Sequence, residues 1–117
     1  MDHAGNLGLN DGSYITLDGY DKLHFYNDIP NEEISFTTYE LQRNERSYHR
    51  AINCLAKYNF VGIERKYTNA ESELEIAGKK YVYENHYNNI GETDSHNEIA
   101  FLQTLSVSTI SVYEQWN

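Results

Sequence analysis

From Arg46 to Val61 the chain reads RSYHRAINCLAKYNFV, and its apolar residues Tyr48, Ala51, Ile52 and Leu55 recur at intervals of three and four. That spacing gathers them on one face of a helix and leaves Arg46, Ser47, His49, Arg50 and Asn53 on the other. The helix is predicted over 46–58. It ends at Tyr58-Asn59, because Asn tolerates the left-handed conformation that closes many helices. The period then changes: Val61, Ile63, Arg65 and Tyr67 alternate as a strand does.

The same patterns divide the rest of the chain. Residues 1–13 contain three of the seven glycines and no apolar period, which predicts a flexible arm. Tyr14 to Leu17 suits a short strand. Asp18 has the character of a helix N-cap, with Asp21 favoured by the helix dipole and Leu23 and Tyr26 facing inward, so a first helix is expected before Asp28-Ile29-Pro30. Glu32 to Phe36 reads as a strand. Thr37 or Thr38 can cap a brief helix through Leu41 and Gln42, and Asn44-Glu45 turns into the longer helix, for which Ser47 is an alternative cap. Lys79 to Tyr87 alternates again, and with Val61 to Tyr67 it forms a hairpin whose long link also suits a strand at Leu74 and Ile76. Ser95 to Glu98 matches a capping box. Ile99, Leu102, Ser106, Thr109, Tyr113 and Trp116 follow at threes and fours, predicting a C-terminal helix, although LSVSTISV at 105–112 is rich in β-branched residues.

Charge alters this picture by its distribution. The 117 residues carry a net charge of -9. Six basic residues against two acidic ones lie between Leu41 and Tyr67, whereas one lysine faces eight acids before that stretch and two lysines face eight acids after it. Positive charge therefore sits on the predicted long helix and its neighbours. The single cysteine, Cys54, excludes an intramolecular disulfide and reads as structural. No run has the length of a signal-peptide core or membrane span, consistent with a cytoplasmic protein. The five histidines lack metal-ligand spacing and no phosphate-cradling glycine loop is present, so neither a metal nor a cofactor is expected, and a binding role is expected over an enzymatic one.

From about Glu33 to Tyr87 the order of short strand, short helix, turn, long helix and two-stranded hairpin resembles the winged helix-turn-helix family of transcriptional regulators of bacteria, archaea and their viruses. The resemblance rests on SYHRAINCLAKYNFV. There Ser47 starts the helix, Arg50 precedes the core pair Ala51-Ile52, Leu55 anchors the helix end, and Asn59-Phe60-Val61 replaces the family's Gly-aliphatic-aliphatic step. It implies an α+β fold with a winged-helix domain over 14–90 and a two-stranded wing; the helical seam of the C-terminal segment over 91–117 suits packing on another helix, either of its own domain or, as a dimerisation element, of a second copy.

The resemblance also implies that the 46–58 helix enters the DNA major groove. Arg46 and Arg50 suit guanine, Asn53 suits adenine, and Ser47 and His49 are smaller contacts. Arg43, Lys57, Arg65 and Lys66 suit phosphates, with Lys79 and Lys80 at the base of the wing. A homodimer would read half-sites ~34 Å apart. The competing expectation is an acidic winged-helix module that binds a protein, in one form by imitating DNA phosphates.

Overall fold

Period-two alternation governs most of the chain. The computed structural model describes residues 3–65, 73–76, 79–82 and 98–116. Its elements are β1 (His3–Leu9), β2 (Tyr14–Asp18), β3 (Lys22–Asp28), β4 (Asn31–Thr37), α1 (Thr38–Arg43), α2 (Glu45–Lys57), β5 (Phe60–Arg65), β6 (Glu73–Ile76), β7 (Lys79–Val82), β8 (Glu98–Gln103) and β9 (Val107–Val112), with a 3-10 turn at Thr104–Ser106. The strands form a three-stranded sheet ordered β2-β1-β9, a four-stranded sheet ordered β4-β3-β5-β8 and a ribbon of β6 and β7. Every pairing among the described residues is antiparallel.

Register turns alternation into a core. In the first sheet Leu7 stands between Ile15 and Ile110. In the second, Leu23 stands between Phe36 and Ile63, and Phe25 between Ile34 and Val61, with Leu102 beyond. These rows meet Leu41, Ala51 and Cys54 from the two helices in one buried cluster. Fully burying a side chain of this size contributes about 1.5–3 kcal/mol, so the two rows of the larger sheet are a principal source of stability.

The winged-helix expectation is overturned by this topology. Seven strands in two antiparallel sheets carry the core, and two helices are attached to them. The predicted first helix is strand β3, buried on both faces between β4 and β5. Asp18 does receive the N–H groups of Tyr20 and Asp21, as a cap would, but the turn leads into a strand. The predicted arm contains β1, the central strand of its sheet. Gly5 and Gly8 serve close approach: a Cβ on Gly5 would collide with the Ser111 carbonyl oxygen, and one on Gly8 with the Thr109 side chain. The predicted C-terminal helix is β8, the 3-10 turn and β9, because Val107, Ile110 and Val112 find a partner strand in β1. Strand pairing overrides the three-and-four spacing.

Expectations for β2, β4 and β5 agree with the observed strands, as do those for the short helix, the long helix and the strand at 74–76. The predicted strand at 79–87 is β7 over Lys79–Val82, its remainder lying outside the described residues, but it pairs with β6, while β5 pairs with β3 and β8, so the predicted hairpin of the two is not formed. The helices close one side of the first sheet. The Tyr48 hydroxyl donates to the Ile110 carbonyl at 2.5 Å, and Gln42 donates from Nε2 to the Tyr113 carbonyl at 2.9 Å while its own carbonyl accepts the Gln115 N–H at 2.7 Å.

One buried ion pair joins the two sheets. Asp21, with 0% exposure, lies in the β2–β3 turn, and Arg65 on β5 contacts both its carboxylate oxygens, at 3.0 and 3.3 Å. The Arg65 guanidinium also donates to the Thr16 carbonyl on β2 at 2.6 Å. Removing one partner of a buried pair leaves an uncompensated charge, so Arg65→Ala is expected to lower unfolding free energy by about 3–5 kcal/mol in urea melts. Arg65→Ala with Asp21→Asn should lose less than Arg65→Ala alone.

Candidate nucleic-acid interface

The two helices are set by their caps. Thr37 accepts the Glu40 N–H at 3.1 Å and starts α1. Asn44 serves twice: its N–H donates to the Glu40 carbonyl to close α1, and its side-chain oxygen accepts the Ser47 N–H at 3.0 Å to open α2. One residue therefore fixes the bend between the helices, and Asn44, not the alternative Ser47, is the cap of α2. Glu45 lies in the first turn of α2 and Lys57 in the last, the arrangement the helix dipole favours.

The inward face of α2 is built from Ser47, Ala51 and Cys54, all buried, with Tyr48, Ile52 and Leu55 half-buried beside them. Ser47 is thus removed from the expected contact surface. Its hydroxyl donates to Glu40 at 2.8 Å. The outward face carries Arg46, His49, Arg50, Asn53 and Lys57, all exposed. At about 100° per residue, Arg46, Arg50 and Lys57 fall within ~40° of one another around the axis, and together they form a single stripe. Arg43 is exposed at the end of α1 and lies over the Tyr39 ring, 4.8 Å from its centroid. Among the ion pairs of the described residues, none involves Arg43, Arg46, Arg50 or Lys57.

Of the remaining expected contacts, one is committed elsewhere. Arg65 is committed to Asp21 and Thr16 and leaves the predicted phosphate set. Lys66 lies outside the described residues. Lys79 and Lys80 pair with Ile76 and Glu75 in the β6–β7 ribbon. His49 stands 3.9 Å from Glu45, and its ring adjoins Trp116, which also lies 5.5 Å from Tyr48. Trp116, expected on a seam that packs on another helix, packs on the α2 of its own chain.

A polar cluster on the opposite side of β3 escaped sequence analysis. His24 directs Nδ1 at Glu32 on β4, 2.5 Å away, and Nε2 at Glu64 on β5, 2.7 Å away. Burial alone would lower the His24 pKa, but the hydrogen bond to Glu64 and the charge of Glu32 outweigh it and raise the value above 6.5. Both ring nitrogens are occupied, so the imidazole offers no lone pair for base chemistry while it is doubly bonded. Among the described residues no group of three or more His, Cys, Asp and Glu is placed to hold a metal ion. Tyr26 is buried beside this cluster and crosses Gly62, where a Cβ would lie 3.0 Å from its ring. Glu32, on the edge strand β4, supplies one arm of the cluster. Burial raises the Cys54 thiol pKa, with Arg50 and Lys57 opposing.

No family model matches the chain, and neither a curated protein nor a solved structure is similar to it. Among the described residues no helix is long and apolar enough to cross a membrane.

The His24 cluster has a definite pH signature. A folded-state pKa above the ordinary 6.5 means that protonation stabilises the fold. This contribution is complete below pH 6.5 and disappears as pH rises through the elevated folded value. Urea melts at stepped pH should show the loss, at no more than about 1.4 kcal/mol per pH unit for one proton. His24→Gln should flatten this part of the profile; coincident pH profiles for the two proteins would contradict the assignment.

Proposed function

We propose that the chain binds double-stranded DNA through the exposed face of α2 and acts in the cytoplasm as a regulator of transcription. The single observation that carries this reading is the stripe of Arg46, Arg50 and Lys57, exposed along one side of a 13-residue helix on a chain of net charge -9. Desolvated phosphates reward such a row of fixed cations, and the major groove, about 12 Å wide, admits an α-helix. The stripe spans about 16 Å from Arg46 to Lys57 at 1.5 Å per residue.

Within this reading Arg46 and Arg50 present forked donors to guanine edges and Asn53 an amide to adenine, while Lys57, Arg43 and His49 hold phosphates. Because Arg43 is held over Tyr39, its guanidinium loses less freedom on contact than a free side chain would. The acidic remainder of the chain opposes indiscriminate attachment, leaving the helix face to determine orientation. The role is that of a binding module; Arg65 is no part of it, since it is buried in an ion pair.

Fluorescence anisotropy with labelled duplexes across a salt series tests the reading. With three or four phosphates neutralised, log K should fall against log salt with a slope of about -3 to -4. Lys57→Ala should reduce that slope by about 0.9 and weaken all duplexes alike, whereas Arg50→Ala should cost about 1–3 kcal/mol on the preferred sequence alone. Absence of binding at low salt would overturn the proposal in favour of an acidic protein-binding module.

A further inference from the structure

We propose that the chain forms a two-fold symmetric dimer in which Leu105, from the turn between β8 and β9, seats in a groove on the second copy. Leu105 is 84% exposed, yet the turn that carries it is held from several sides. Asn10 donates from Nδ2 to the Leu105 carbonyl at 2.5 Å and from its N–H to the Ser106 carbonyl at 3.0 Å. Thr104, buried, donates from its N–H to the Asn59 carbonyl at 3.0 Å and from its hydroxyl to the Tyr58 carbonyl at 2.5 Å. A large apolar side chain is therefore presented to water from a fixed backbone. Such an anchor gives up little conformational freedom on docking.

The groove lies beside it. It encloses about 450 Å³ and is lined by Leu55, Ala56, Tyr58 and Phe60, with Leu105 itself at its border and Asp28 among its polar residues. Lys57 holds its ammonium 5.2 Å from the centroid of the Tyr58 ring, which lines the groove. Knob, cavity, acid and base thus occupy one patch. In a two-fold interface each contact occurs twice with the roles exchanged, so a second copy supplies Leu105 to the cavity, Lys57 to Asp28 and Asp28 to Lys57. This charge complementarity selects a second copy as the occupant; a nucleic acid would meet Asp28 as a like charge.

The dimer does not rest on the DNA reading; the two compete for Lys57 and respond to salt in opposite directions. Two chains of net charge -9 repel at long range; salt screens that repulsion along with the two Lys57–Asp28 attractions, the repulsion being the larger, and leaves the apolar contact intact. Sedimentation equilibrium of the whole chain should show self-association that tightens from low to moderate salt. Leu105→Asp, a change at an exposed position, should weaken association by at least about tenfold with no change in circular dichroism. Asp28→Lys and Lys57→Asp should each weaken it, and the two together should restore it. A wild-type chain that stays monomeric throughout, as it would if a different protein filled the groove, overturns the proposal. So does undiminished association of Leu105→Asp, or a double charge reversal no tighter than either single one.

Discussion

The contact between Asp21 and Arg65 fixes how the two sheets and the helices sit together. Asp21 uses every polar group it has: its carboxylate receives Arg65 and the Asp18 N–H, and its carbonyl receives both the N–H and the hydroxyl of Thr38 at the start of α1. Arg65 continues from this point to the Thr16 carbonyl on β2. Strand β5 of one sheet, strand β2 of the other and the first residue of α1 are thereby referred to a single turn. Burial raises the Asp21 pKa from 3.8 to about 6 despite the pull of Arg65, which means desolvation outweighs attraction. The pair is better understood as a device for position than as a source of net stability, in keeping with buried ion pairs generally.

From that fixed turn follows the placement of α2. Thr38 sets α1, Asn44 sets the bend, and the small residues Ser47, Ala51 and Cys54 let α2 lie close to the core. A helix that docks through small side chains leaves a broad arc outside. The cations of α2 are concentrated on that arc, while its inward side is engaged with β9 and the C-terminal residues through Tyr48. Scaffold and display are thus assigned to different faces of one element.

Much of the local structure was legible in the chain, and its assembly was not. The long helix was readable because the spacing of Ala51, Leu55 and their neighbours agrees with its propensities, and Val61 with Ile63 announced β5 by alternation. Strand β3 was misread because Leu23 and Tyr26 stand three apart behind a genuine Asp18 turn; a strand buried on both faces loses the alternation that identifies it. The C-terminal segment displayed a capping box and helical spacing, but its β-branched residues were free to pair with β1, some hundred positions away in the chain. Of the candidate contacts, the α2 stripe was visible as spacing plus charge. Arg65 could not be sorted from it, since its partner Asp21 lies 44 residues earlier. The His24 cluster was invisible for the same reason, Glu64 being 40 residues distant.

The bond from the Tyr48 hydroxyl to the Ile110 carbonyl has a further consequence. The β9 segment, VSTISV, contains no charge and no proline, the composition of a strand that readily templates onto another copy of itself. Its second edge borders the helix pair, with Tyr48 taking one carbonyl and Gln42 holding the residues just beyond. The helices consequently act as a shield against amyloid-type stacking. Chains that lose the docking of α2 while keeping their sheets would be the ones most prone to aggregate.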